Sequence, residues 1–136
     1  MNFGDISVVT LILSLMAAST PILLAATGEL VVEKSGVLNL GVEGMMIVGA
    51  ICGFIGAVQT GSPWAGFAIG AAAGAGTALI FGILTQVLLA NQVASGLGLV
   101  MLGLGLSALL GHSYAGIKPP DFANLDVPFL GDIPEA

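Results

Sequence analysis

Charge is what this chain has least of. Only 7% of its 136 residues are Asp, Glu, Lys or Arg, where an ordinary soluble domain carries roughly 25%. Between Gly44 and Ile117 none occurs at all. A soluble fold could not cover its surface with so few charges. The uncharged stretch also exceeds one crossing of a bilayer, which needs about 20 residues. The single cysteine, Cys52, excludes an internal disulfide and a cysteine metal cluster. One histidine, His112, at the end of an apolar run leaves no metal pair. Only two basic residues and a net charge of -6 exclude the basic footprint that nucleic acid requires.

What is present is apolar: 57% of the residues are hydrophobic. The runs predict an all-α integral membrane protein with four spans, at 6–27, 41–58, 64–89 and 93–110, followed by an acidic, proline-containing tail over 112–136. The start, Met1-Asn2-Phe3-Gly4-Asp5, has an acid and no basic region. The first apolar run therefore reads as a span rather than a secretory signal. Pro21 falls inside it, either as a packing kink or as a bend that shapes a path. Lys34 favours a cytoplasmic first loop. That puts the N-terminus, the tail, Trp64 and Tyr114 outside and Asn91-Gln92 inside.

Glycine is abundant within the spans. Gly66, Gly70 and Gly74 recur every four residues, as do Gly49 and Gly53, and Gly103 is followed at the same interval by Ser107. Residues four apart share a helix face. In lipid, small residues on one face let two backbones approach closely. These stripes are expected to be helix-packing surfaces.

The segment from Gly28 to Gly44 is too apolar for a solvated loop and too charged for a helix facing lipid. A central Asp or Lys costs about 2.5–3.5 kcal/mol on insertion scales. Glu29, Glu33, Lys34 and Glu43 must therefore meet water or protein. Two readings follow: an interfacial connector, or a broken, re-entrant segment bordering a translocation path. Glu29, Glu33, Asn39 and Glu43 are the path candidates. Glu29 and Glu33 lie one turn apart with Lys34 close by, and Asn39 and Glu43 would come together if a helix resumed there. Gly36, Gly41 and Gly44 would permit irregular backbone, which is tolerated at membrane depth only against protein or water.

Catalytic patterns are absent. Gly28, Lys34 and Ser35 nearly match a phosphate-binding loop, but Glu33 stands where its second glycine belongs, and a carboxylate there repels phosphate. No nucleophile-elbow pattern supports a Ser-His-Asp set. The chain is expected to hold no cofactor, no metal and no catalytic residue.

The runs Thr20-Pro21-Ile22-Leu23-Leu24-Ala25-Ala26 and Glu33-Lys34-Ser35-Gly36-Val37-Leu38-Asn39-Leu40-Gly41-Val42-Glu43-Gly44 resemble the permease subunits of bacterial ABC importers. So do Asn91-Gln92-Val93-Ala94-Ser95-Gly96-Leu97 and the stretch from Gly103 to Gly111. The likeness is to the nucleoside (simple-sugar) group, within the larger set of ribose and branched-chain amino acid permeases. It implies a second permease subunit, two ATP-binding cassette subunits and an extracytoplasmic substrate-binding protein as partners, in the bacterial inner membrane. It further implies that ATP hydrolysis by the partner drives alternating access, and that the segment matching Gly36 to Gly44 lies among core helices near the path. Members of that family are longer and carry a later cytoplasmic loop that docks on the ATPase. On that comparison the chain corresponds to an N-terminal portion. A small structural protein that oligomerises through its glycine stripes, and an ion or proton path, are the readings from other classes.

Overall fold

The computed structural model describes residues 8–121. It contains helices α1 (Val8–Lys34), α2 (Val42–Thr60), α3 (Pro63–Gly82) and α4 (Gln92–Gly111). A π-helical turn, Ile83–Val87, prolongs α3, and a 3-10 turn, His112–Tyr114, follows α4. No strand occurs among the described residues. All four helices, counting the turns that prolong them, are long and apolar enough to cross a membrane. The expected positions of residues 1–7 and 122–136, including most of the acidic tail, lie outside the described residues.

Local chemistry sets the helix ends. Gly61 closes α2 in the left-handed region at φ 66°, which costs glycine nothing. Ser62 then caps α3 by accepting the N–H of Ala65, with Pro63 at the first helical position. Asn91 caps α4 by accepting the N–H of Ala94 at 3.0 Å. Within the spans, hydroxyls bond back to the helix: Ser19 and Thr20 to the Met16 carbonyl, and Thr77 to Gly74. Such bonds hide a polar group from an apolar solvent. The helix runs unbroken across Pro21.

The first helix extends past its expected end. The charges after Thr27 read as the start of a break, yet α1 continues through Glu29 and Glu33 to Lys34. The irregular link is only 35–41, and it begins where Gly36 takes φ 84°. At 1.5 Å per residue, α1 spans about 40 Å, against roughly 30 Å of hydrocarbon. Its last turns can therefore carry charge beyond the apolar layer.

Helix α2 is central, packing along α3 on one side and α4 on the other, while α3 and α4 touch little. The connections 61–62 and 88–91 are short, and the first joins the closely packed α2 and α3. Helix α1 stands apart, with no buried residue. The buried hydrophobic side chains among the described residues are Val48, Ala57, Phe81 and Leu99, all on α2, α3 and α4. Most large apolar side chains face outward, as expected where lipid is the solvent.

Candidate functional site

The polar residues singled out above gather at one end of the bundle, where α1 ends and α2 and α4 begin. Asn39 is buried at 7% exposure in the link. Its backbone N–H donates to Glu29 Oε1 at 3.2 Å. Its side-chain oxygen accepts the N–H of Gly41 at 3.0 Å, a local turn that sets the entry to α2. Its amide nitrogen lies 3.8 Å from Met45 Sδ. On the other side of the link, the N–H of Leu38 donates to Gln92 Oε1 at 2.8 Å. Glu29 Oε2 is buried and has no hydrogen-bond partner in the protein.

The path candidates are thus split. Glu29 and Asn39 are joined, whereas Glu33 and Glu43 are exposed. The pairing of Asn39 with Glu43 does not form, because α2 resumes only at Val42 and Asn39 stays in the link. No ion pair joins Lys34 to Glu29 or Glu33 among the described residues; all three extend from the last two turns of α1. No group of three or more His, Cys, Asp or Glu that could hold a metal occurs among the described residues.

Glycines bring the helices together. A Cβ at Gly66 would meet the Ala57 Cβ at 2.5 Å and the Gly53 carbonyl oxygen at 2.7 Å. One at Gly70 would meet the Gly49 carbonyl oxygen at 2.8 Å, and those at Gly49 and Gly53 would come within 3.1 Å of α3 carbonyls. Gly74 is looser, with its nearest neighbour at 3.8 Å. Gly103 approaches Gly44, whose carbonyl oxygen and Cα would lie 2.7 and 3.0 Å from an added Cβ. Ser107, one turn further along α4, is partly buried.

Several residues here escaped the every-fourth reading. Gly44 is a packing residue, not a site of irregular backbone: it is buried in α2, and an added Cβ would run into Leu99 and Val100 backbone, while Gly41, the last residue of the irregular link, is buried and packs against Gly96 as well. A Cβ at Gly96 would lie 2.9 Å from the Gly41 nitrogen and 3.0 Å from the Leu40 carbonyl carbon. The spacing of seven between Gly96 and Gly103 was the available signal, since it returns to the same helix face. Gln92 carried none, because its role depends on a link distant in sequence.

At the opposite end, the Tyr114 hydroxyl accepts a 2.7 Å bond from the Gln59 side-chain amide, and its ring stacks edge-on against Phe54 at 6.4 Å. The chain then turns back so that Pro119, Pro120 and Asp121 border a largely apolar groove of about 540 Å³ on the α2–α3 face, floored by Gly49, Gly53 and Gly70.

Comparison with known proteins adds what geometry cannot. Residues 11–121 match the family described as branched-chain amino acid transport system / permease component. A putative glucose ABC transporter permease protein of Haloferax volcanii is 44% identical over 114 residues, covering 84% of this chain and 35% of the relative. The guanosine ABC transporter permease of Bacillus subtilis is 34% identical over 139 residues, covering 90% and 44%. A nucleoside ABC transporter permease of Lactococcus lactis is 26% identical over 106 residues, covering 74% and 33%. The chain thus spans less than half the length of these relatives. No solved structure matches.

Proposed function

The chain belongs to the branched-chain amino acid transport system / permease component family, and from that membership we propose that it forms part of the translocation path of an ATP-driven importer. The solute is a nucleoside or a related small polar compound. The observation that carries this reading is the match over residues 11–121 together with the guanosine and nucleoside permeases among the relatives. A free sugar is the alternative, favoured by the 44% identity to the putative glucose permease. Both solutes share a hydroxylated ring.

In this reading the subunit moves solute by alternating access and performs no chemistry of its own. A second permease subunit, ATP-binding cassette subunits and an extracytoplasmic substrate-binding protein complete the importer in the plasma membrane. The exposed Glu33 and Glu43 carboxylates are available to solute hydroxyls or water at the bundle end, while Glu29 and Asn39 shape the backbone beside them.

The test is uptake of labelled guanosine and labelled glucose by cells producing the full-length protein with its cassette and binding-protein partners. Uptake of guanosine, suppressed by unlabelled nucleosides and lost with a hydrolysis-deficient cassette subunit, is expected. Suppression by sugars alone would select the alternative solute. Uptake that continues at full rate with the cassette disabled would refute the importer.

A further inference from the structure

The link between α1 and α2 is gripped from both sides. From α1, the Glu29 carboxylate accepts the N–H of Asn39. From α4, the Gln92 side chain accepts the N–H of Leu38, the preceding residue. Two adjacent backbone donors are therefore held by side chains of two different helices. Meanwhile α1 buries no residue against the rest of the bundle. Its α2 neighbour, by contrast, is fixed to α3 and α4 through backbone contacts at glycine.

We propose that Glu29 and Gln92 are positioning residues that clasp the link 35–41 and so set the angle of α1 to the α2–α4 body. The hinge is the link itself, with Gly36 at φ 84° supplying its sharp bend after Lys34. Asn39 stiffens the far side of the link by accepting the Gly41 N–H, and Gly41 is in turn seated against Gly96 of α4. Opening either grip frees α1 to pivot without disturbing the glycine seams. Hinges of this kind confine a motion to a few residues at the end of an element. The inference does not rest on the transport reading, and its test uses no transport.

Distances between spin labels decide it. In the chain carrying Cys52→Ala, reconstituted in lipid nanodiscs, labels at Leu15→Cys on α1 and Leu104→Cys on α4 report the angle of α1. Labels at Met46→Cys on α2 and Leu79→Cys on α3 report the body. Glu29→Ala is expected to broaden the α1–α4 distribution by at least about twofold, as a released hinge samples more positions. The α2–α3 distribution should stay unchanged. Glu29→Gln should restore the native width, because its carbonyl oxygen accepts the same N–H. Gln92→Ala should broaden the same pair and Gln92→Glu should restore it. The proposal is overturned if Glu29→Ala leaves the α1–α4 width native, or if Glu29→Gln broadens it as fully as alanine does. It is equally overturned if the α2–α3 pair broadens too, since the contact would then support the whole bundle.

Discussion

Replacing Gly44 by alanine should separate α2 from α4. The added Cβ would sit 2.6 Å from the Leu99 carbonyl carbon and 2.8 Å from the Val100 Cα. Carbon atoms prefer about 3.5–4.0 Å, so the helices must part by roughly 1 Å. Both obstacles are backbone and cannot rotate aside. The displacement is shared by the whole seam, including Gly103 against Gly44 and Gly96 against Gly41. A gap of about 0.5–1 Å forfeits a quarter to a half of each contact's attraction. Overpacking of this kind costs about 1–3 kcal/mol. Alanine regains about 0.5–1 kcal/mol over glycine in a helix. The net expected loss is up to about 2.5 kcal/mol. Gly98 and Gly105 of α4 provide the control, because nothing lies within 4 Å of an added Cβ there. Alanine at either site keeps the helical gain with no clash, so its effect is neutral or stabilising. Reversible unfolding in mixed micelles, followed by far-ultraviolet circular dichroism against detergent composition, measures both. The reasoning fails if Gly44→Ala and Gly98→Ala move the midpoint in the same direction by similar amounts. A further check is the double variant with Gly103→Ala. Once the first methyl has opened the seam, the second should cost less than it does alone, by about 0.5 kcal/mol or more.

On the α2–α3 seam, Gly66→Ala should destabilise by about 1–2 kcal/mol in the same titration, because Ala57 and the Gly53 carbonyl crowd the added methyl. Gly74→Ala, with 3.8 Å of clearance, should be near neutral; equal losses at both sites would contradict the packing described. Asn39→Ala removes the acceptor for the Gly41 N–H in a buried link and should cost about 1–3 kcal/mol. Asn39→Asp keeps that oxygen but sets a buried carboxylate beside that of Glu29, so it should not restore the stability. Tyr114→Phe should cost under about 1 kcal/mol, since it loses an exposed bond to Gln59 and keeps the edge-on contact with Phe54. Tyr114→Ala loses both and should cost more, the ring pair adding about 0.5–1.5 kcal/mol.

Hydropathy made the helices easy to read. Helices α2 and α4 and the combined α3 and π turn begin and end within one or two residues of the spans expected from sequence. The end of α1 was harder, because charge at Glu29, Glu33 and Lys34 looked like a break. Charge opposes burial in lipid but does not oppose backbone hydrogen bonding, so a helix can carry charge wherever it leaves the hydrocarbon. The real breaker is Gly36, which takes a conformation that side chains resist, while Gly28 is simply helical. The π turn at Ile83–Val87 was not legible. Its bond from the Leu88 N–H to the Ile83 carbonyl reflects how the helix end settles. At the polar site, spacing suggested two pairs, Glu29 with Glu33 and Asn39 with Glu43. The structure joins Glu29 to a backbone N–H instead. Spacing rules cover helices, and Asn39 lies outside one.

The contrast between α1 and the other helices follows from where glycine falls. Lipid tails are as apolar as leucine, so apolar side chains give one helix little reason to leave lipid for another. What remains is close approach of backbones, and that requires residues without bulk. Helices α2, α3 and α4 carry glycine on the faces that meet, and there the carbonyl of one helix reaches the Cα of the next. Helix α1 has a single glycine, Gly28, with nothing within 4 Å of it, and its other faces present leucine, isoleucine and valine. Among the described residues it therefore forms no glycine seam against α2. Among the described residues, what ties it to α2 is the link that joins them, and that link is held by polar groups. In water such exposed bonds would compete with solvent and count for little. Beside a hydrocarbon layer the competition weakens, so two side-chain acceptors can fix an element that a run of leucines cannot.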